Sequence, residues 1–397
     1  LCREAAQILL IIDAYFILIG AEPNLGEKRM QKQHVIVYRE AGMFGGWPAN
    51  YGMWAWGDEL VVGFTRCTHL TQPGHARDRR LPAVPCQARS RDGGLTWQTL
   101  PIPACSPGGR GFSADEHMLD ELSVGRAIEE GLETLPRPSE QAIDFSHPDF
   151  GLMCARTGLG KGTRAWFYVT YDRAHSWQGP FSLPDFGLAG TEARTDCLIN
   201  GPDDCMLFLT AAREDGGEGR GVYVARTRDG GRTFSLQSWV TISDGPHVIM
   251  PASVRLDEQR ILTAVRCFGE KGKFEVVPTW IDLFESRDNG ASFAHIARPV
   301  AYAGSGGNPP ALTRLRDGRV CLVYGYRAEP FGIRARLSED GGHTWGEEIH
   351  LRDDGGCRDL GYPRTVERPD GVLVTAYYFN DHVDSERYIA ATLWKPE

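Results

Sequence analysis

One eight-residue pattern, Ser/Thr-x-Asp-x-Gly-x-Thr/Ser-Trp/Phe, recurs along most of this chain. A chain built from copies of one unit must stack those copies or close them into a ring. The pattern reads SRDGGLTW from Ser90, TRDGGRTF from Thr227, SRDNGASF from Ser286 and SEDGGHTW from Ser338. A weaker copy, TYDRAHSW from Thr170, carries Ala174 where the others have glycine. The copies lie about 50–60 residues apart, except after the first, which is the period of a four-stranded propeller blade. Each copy makes sense as a hairpin turn. The Asp side chain accepts backbone N–H groups of its own turn, the glycine supplies a positive φ, and the closing aromatic starts the next strand. Asp92, Asp229, Asp288 and Asp340 are therefore read as structural, not catalytic.

A second repeat precedes each turn. It is a strand, a turn often containing Asp-Gly, and another strand, as in MPASVRLDEQRILTAVR, NPPALTRLRDGRVCLVYGYR and YPRTVERPDGVLVTAYY. One blade then reads strand A, turn, strand B, loop, strand C, Asp-containing turn, strand D. The count gives an all-β, six-bladed propeller of four-stranded antiparallel blades over residues 31–397. The last blade lacks an outer strand at the C-terminal end, and the strand near 34–40 (HVIVYRE) is expected to supply it, which removes open sheet edges. Blade two is the least regular. Residues 105–146 form a polar insertion, and HPDFGLMCART reads as either its strand A or its strand B.

Residues 1–30 stand outside this scheme. LLIIDAYFILIG is apolar but interrupted by Asp13 and too short to span a bilayer. It reads as a poor signal-peptide core or as upstream sequence translated from a wrong start, which leaves the compartment open. A formal net charge of -9 argues against a nucleic-acid partner. The 10 cysteines show neither a CxxC pair nor zinc spacing and read as reduced, buried thiols. No cofactor or metal is expected: GGEGRG near Gly216 sits between strands, not before a helix, and no Asp-rich turn matches an EF-hand loop. Oligomeric state leaves no mark in the sequence.

Antiparallel pairing puts the A–B turns and the Asp-containing turns on one face. The starts of strand A, the ends of strand B and the B–C loops share the other. That second face collects Trp47, Asn50, Arg194, Asp196, Met250, Asn308, Tyr362 and Arg364 at strand A starts. At strand B ends it collects Arg66, Arg213, Arg266, Arg327 and Asn380, and the loop after Arg66 adds His75 and Asp78 among three more arginines. Arginines converging on one mouth suit a carboxylate or other anion, which a planar guanidinium grips through paired hydrogen bonds.

With these residues in view, the chain resembles the sialidase (neuraminidase) superfamily, whose Asp-box or BNR repeats match the turns. The resemblance implies an exo-acting glycoside hydrolase that removes a terminal acidic sugar such as a sialic acid. It assigns Arg66 to the end of the first blade's strand B and Asp78 to the loop acid/base. Arg266 and Arg327 (Arg334 as second choice) fall at the later carboxylate-binding arginines, and Tyr362 at the nucleophile. A neutral tyrosine suits a site whose substrate carries a carboxylate, and sialidases depart from the two-carboxylate rule in this way. Asp78 would protonate the leaving oxygen. Arg213, His75, Trp47, Asn50 and Asp196 are expected to complete the sugar site.

Two positions depart from the family. GGWPAN replaces its first arginine motif, and the glutamate that activates the tyrosine falls near Met250 and Pro251. Asp196, Glu192 and Asp282 stand as substitutes. Plainer readings stay open too: Tyr362 as a strand-start aromatic, and Asp78 as a surface ion pair. An enzyme on another acidic glycan, such as a polyuronate lyase, and a non-catalytic carbohydrate-binding propeller are the competing functions.

Overall fold

The structure is a computed structural model that describes residues 32–72, 74–105, 130–132, 134, 136–269 and 277–396. All of the N-terminal segment 1–30 and much of the 105–146 insertion lie outside the described residues. Six antiparallel sheets follow one another along the chain as the blades of a propeller.

Blade one pairs Glu59–Thr68 with two short inner strands, Met43–Gly46 and Met53–Trp56, and continues through Val84–Ser90 to Gln98–Pro101. Blade two has three strands among the described residues, Gly151–Arg156, Ala165–Thr170 and Gln178–Ser182. Its Asp-containing turn joins the last two, so Gly151–Arg156 is strand B. Blade three has Thr191–Glu192 and Cys197–Ile199 against Cys205–Ala211, then Gly221–Thr227 and Ser235–Ile242. Blade four runs His247–Arg255, Ile261–Phe268, Thr279–Ser286 and Ala294–Val300. Blade five runs Ala311–Arg314, Val320–Tyr326, Gly332–Ser338 and Ile349–Arg352. Blade six runs Gly361–Glu367, Leu373–Phe379 and Tyr388–Trp394, and its outer strand is Lys32–Tyr38.

The core follows from strand periodicity. Successive side chains of a strand point to opposite sheet faces, and both faces of a blade are covered by neighbours. Along Glu59–Thr68, Leu60, Val62 and Phe64 pack with Val374, Ala376 and Ile389 of blade six. Val61, from the same strand, packs with Met153 and Trp166 of blade two. The same alternation fills the spaces between blades two and three, three and four, four and five, and five and six. This is why the middle strands read as unbroken apolar runs.

The Asp-containing turns are closed local units. Asp92 accepts the amides of Leu95 and Thr96 and the hydroxyl of Thr96, while Ser90 Oγ donates to Asp92 and accepts from Gly94 N. Asp229, Asp288 and Asp340 repeat the arrangement. Hydrogen bonds from Thr96, which outweigh burial, hold the Asp92 carboxyl down at about 2. The glycine-free copy keeps the same turn: Arg173 and Ala174 adopt φ of 57° and 63°, and Asp172 still caps Ser176. Among the described residues no helix is long and apolar enough to cross a membrane.

Candidate active site

The start of the inner strand is unusual in three blades. Trp47, Met250 and Tyr362 each precede a proline and adopt φ of 60°, 56° and 51°. A left-handed conformation at a bulky residue costs on the order of 1–3 kcal/mol and persists only where the surroundings enforce it. Enforcement is visible. In blades four and six the ladder skips the residue-proline pair, between Ile249 and Ala252 and between Gly361 and Arg364. Tyr362 N donates to Asn308 Oδ1 at 2.9 Å, and Asn308 is fully buried. Gly361, at φ 107°, leaves no room for a Cβ, which would sit 2.4 Å from Asn308 Oδ1. The kinks turn Trp47 and Tyr362 into one cavity.

That cavity has a volume of about 320 Å³ and is lined from blade one by Trp47, Asn50, His75, Arg77 and Arg79, with Leu159, Arg194, Glu218, Arg266, Gly306, Arg327 and Tyr362 from the others. Strand A starts, strand B ends and B–C loops supply these residues. The grooves on the outer parts of the blades gather no comparable set of charges.

Two guanidinium groups are partly buried here and spend their hydrogen bonds on neutral atoms. Arg327 Nε and Nη2 donate to Leu360 O at 3.1 and 3.0 Å, Nη1 to Gly306 O at 2.9 Å, and Nη2 also to Tyr378 Oη at 2.6 Å. Its Cζ lies 5.8 Å from the Tyr362 ring centroid. Arg266 Nη2 donates to Gly306 O at 3.1 Å and Nη1 meets Met250 Sδ at 3.4 Å. Its Nε is buried without a hydrogen-bond partner. Neither arginine forms an ion pair among the described residues. Burial, together with the charges of Arg327 and Arg194, pushes the Arg266 guanidinium down, while Tyr362 and Glu218 partly offset this. Arg194 is aimed by Asn50, whose Oδ1 accepts its Nε at 2.8 Å. Arg77 lies over the Trp47 ring at 5.7 Å.

Carboxyl groups flank this positive centre. Glu218 lines the cavity. Glu192 is buried behind it: Oε1 accepts Gly160 N at 3.0 Å, and Oε2 has no hydrogen-bond partner. Burial first, then the charge of Glu218, pushes the Glu192 carboxyl up to about 7. Asp359 is also buried and accepts four donors: His75 Nδ1 at 2.7 Å, Ala76 N at 3.2 Å, Tyr378 Oη at 2.9 Å and Arg387 Nε at 2.9 Å. No group of three or more His, Cys, Asp or Glu that could hold a metal ion occurs among the described residues.

Of the residues singled out in the sequence, Trp47, Asn50, His75, Arg194, Arg266, Arg327 and Tyr362 meet in the cavity. Arg66, Arg213, Asp78 and Asp196 are not among its lining residues. Strand alternation turns Arg66 the same way as Phe64, toward blade six, where it donates to Tyr38 and Glu40. Arg213 is held by Asp244 O, Gly245 O and the Asp215 carboxylate. Asp78 receives Arg80 Nε at 2.9 Å and Nη2 at 2.8 Å, and these bonds hold its carboxyl down at about 2. Asp196 is buried between blades, accepts Ser253 N and Oγ, and is pushed up to about 7 by burial. Asp282 belongs to Arg298, Trp280 and His295, and Arg334 to Arg352 O and Pro330 O. Arg79, Leu159, Glu218 and Gly306 were not single candidates in the sequence. They sit in irregular segments, whose only sequence signal was membership of the B–C loops or of the approach to a strand A.

Comparison with known proteins fits this architecture. No known protein-family model matches the chain. A stretch is 28% identical over 166 residues to a probable septum site-determining protein MinC of Heliobacterium modesticaldum, covering 41% of this chain and about half, 54%, of that protein. A protein of unknown function from Dyadobacter fermentans superposes with a TM-score of 0.68 at 20% identity, over 92% of this chain and 98% of its own. An α-L-arabinofuranosidase of Fusarium graminearum gives 0.54 at 12% identity, over 90% and 94%. The NanB sialidase of Streptococcus pneumoniae gives 0.56 at 11% identity, over 91% and 70%. At these identities the likeness is one of fold, and the fold is the six-bladed propeller that sialidases and arabinofuranosidases share.

Proposed function

We propose that the protein is an exo-acting glycoside hydrolase that removes a terminal sugar bearing a carboxylate, a sialic acid or a similar acidic sugar. The observation that carries this reading is the pair Arg266 and Arg327, two partly buried guanidinium groups in one cavity with no ion pair among the described residues. Buried charge is costly unless paired, so such a centre is complementary to an anion brought in by a ligand. Arg194 and Arg77 add positive charge to the same wall. A neutral pentose, as the arabinofuranosidase name implies, has no use for that centre, which favours the acidic-sugar side of the shared fold.

Tyr362 stands at the cavity wall beside Arg327, which supports it as the group that bonds to the anomeric carbon. Its phenol is uncharged and is not repelled by the substrate carboxylate. Glu218, a carboxyl group lining the same cavity, is the group assigned to take the phenol proton as that bond forms and to return it when water displaces the sugar. Leu159 gives the sugar an apolar surface to lie against.

The test is incubation with a panel of aryl glycosides of sialic and uronic acids, an aryl α-L-arabinofuranoside and uronic-acid polymers. Release of an acidic monosaccharide is the expected result. Cleavage confined to the arabinofuranoside, an unsaturated uronic product, or binding with no product on any substrate would each overturn the reading.

A further inference from the structure

The glycosidase reading leaves one role empty. Breaking the glycosidic bond needs a proton on the leaving oxygen, and Asp78 is ionised, tied to Arg80 and not among the cavity-lining residues. Resting on that reading, we propose that His75, oriented by Asp359, is the proton donor and acceptor for the leaving group.

The geometry is that of an oriented imidazole. His75 stands at the tip of the loop between the second and third strands of blade one, next to Gly74, and lines the cavity half-exposed. Asp359, from the segment leading into blade six, receives its Nδ1 at 2.7 Å. The same carboxylate binds the next amide in the loop, Ala76 N, so side chain and backbone are fixed together. The Trp47 ring meets the imidazole edge-on at 4.9 Å and 89°. Burial would raise the Asp359 carboxyl, but the hydrogen bond from His75 and the charges of His75, Arg387 and Arg327 outweigh it and hold the group far below the usual carboxylate range. An ionised Asp359 only accepts, so Nδ1 carries a proton and Nε2 is the exchanging nitrogen. Nε2 has no hydrogen-bond partner among the described residues. A carboxylate fixing one imidazole nitrogen while the other handles the substrate proton is a recurrent catalytic device.

The proton balance closes. As Tyr362 Oη bonds to the anomeric carbon, the C–O bond to the leaving group breaks and its electron pair goes to the leaving oxygen. That oxygen takes the Nε2 proton, and Glu218 takes the phenol proton. Neutral Nε2 then removes a proton from water as the water oxygen bonds to the anomeric carbon. The Tyr362–sugar bond breaks and Glu218 returns the proton to the phenolate. Asp359 keeps its charge throughout and is a positioning residue. It also anchors Tyr378, which receives Arg327 Nη2, so the carboxylate-binding and proton-transfer parts of the cavity share one buried anchor.

The experiment compares His75→Ala with the native protein on two substrates of the same acidic sugar, one with a nitrophenol leaving group and one linked to another sugar. Thermal melting first shows that the variant is folded; His75→Gln serves if it is not. A loss of about 10²–10³-fold on the sugar-linked substrate, under ~10-fold on the nitrophenyl glycoside, and partial recovery with added imidazole are expected. Equal losses on both substrates with no response to imidazole, or an unchanged rate on the sugar-linked substrate, overturn the role of His75 while native turnover stands. A native protein inert on both substrates overturns the glycosidase reading itself, and this role with it.

Discussion

The two faces of the propeller are held together differently. On the turn face every repeat closes on itself: Ser90 to Gly94 and Asp92 to Thr96 are bonds across four residues. On the cavity face the bonds join distant parts of the chain. His75 meets Asp359 across 284 residues, Arg194 meets Asn50 across 144, and Arg364 reaches Ala49 O across 315. The turn face is therefore fixed within each blade, while the cavity exists only in the closed ring. Left-handed residues occur on both faces, at Arg173 and Ala174 in a turn and at Trp47, Met250 and Tyr362 by the cavity, but only the cavity gathers two partly buried guanidinium groups with no ion pair among the described residues. Uncompensated charge concentrated in one place is what a ligand site stores.

The sharpest way to break this contrast is to neutralise the cavity. Arg266→Met is expected to lower kcat/KM on an acidic glycoside by about 10²–10³-fold with little change in melting temperature, because it removes a partly buried charge with few strong bonds. Arg327→Met should lose a similar factor and also melt earlier, since it gives up Leu360, Gly306 and Tyr378. Steady-state kinetics and calorimetry separate the two. If both keep full activity, the cavity is not an anion site.

Glu192→Gln probes buried charge just behind the cavity. Burial holds its carboxyl up at about 7 in the fold, above the ordinary glutamate value of 4.5. Below the lower value both states are protonated and nothing is lost. Between the two, the unfolded chain ionises while the folded one holds its proton, so stability falls as pH rises from the lower value to about 7 and levels off above it. The variant should match the native protein at pH 4 and exceed it by about 3 kcal/mol at pH 8, read from urea unfolding at both pH values. Parallel curves would mean that Glu192 ionises freely in the fold.

Asp92→Ala makes the complementary cut on the turn face. Losing the bonds to Leu95 and Thr96 should cost about 1–2 kcal/mol in unfolding experiments and leave kcat/KM unchanged. An activity loss at a temperature where the variant is folded would show that the faces are coupled. The smallest effect is Ala174→Gly. It relieves a left-handed residue but gives up a buried methyl group and gains unfolded-state freedom, so chemical denaturation should move by less than about 1 kcal/mol. A larger change would mean that this turn is not equivalent to its glycine-bearing copies.

What could be read from the sequence divides along the same line. The turns, the blade count and the face on which irregular residues gather depend on interactions within a dozen residues, and short-range patterns record those. Trp47, Asn50, His75, Arg266, Arg327 and Tyr362 were visible because they fall at fixed positions of the repeat. Arg66 and Arg213 occupy equivalent positions, yet Tyr38, Glu40 and the 244–245 carbonyls, from other strands and loops, claim them. Glu218 lay in a loop with no repeat to mark it, and Asp78 stood in a loop where Arg80, two residues on, captured it. The sequence by itself determined the propeller and the face that carries the site. Only the tertiary structure decided which charges on that face stay uncompensated, because compensation depends on neighbours that ring closure brings together from opposite ends of the chain.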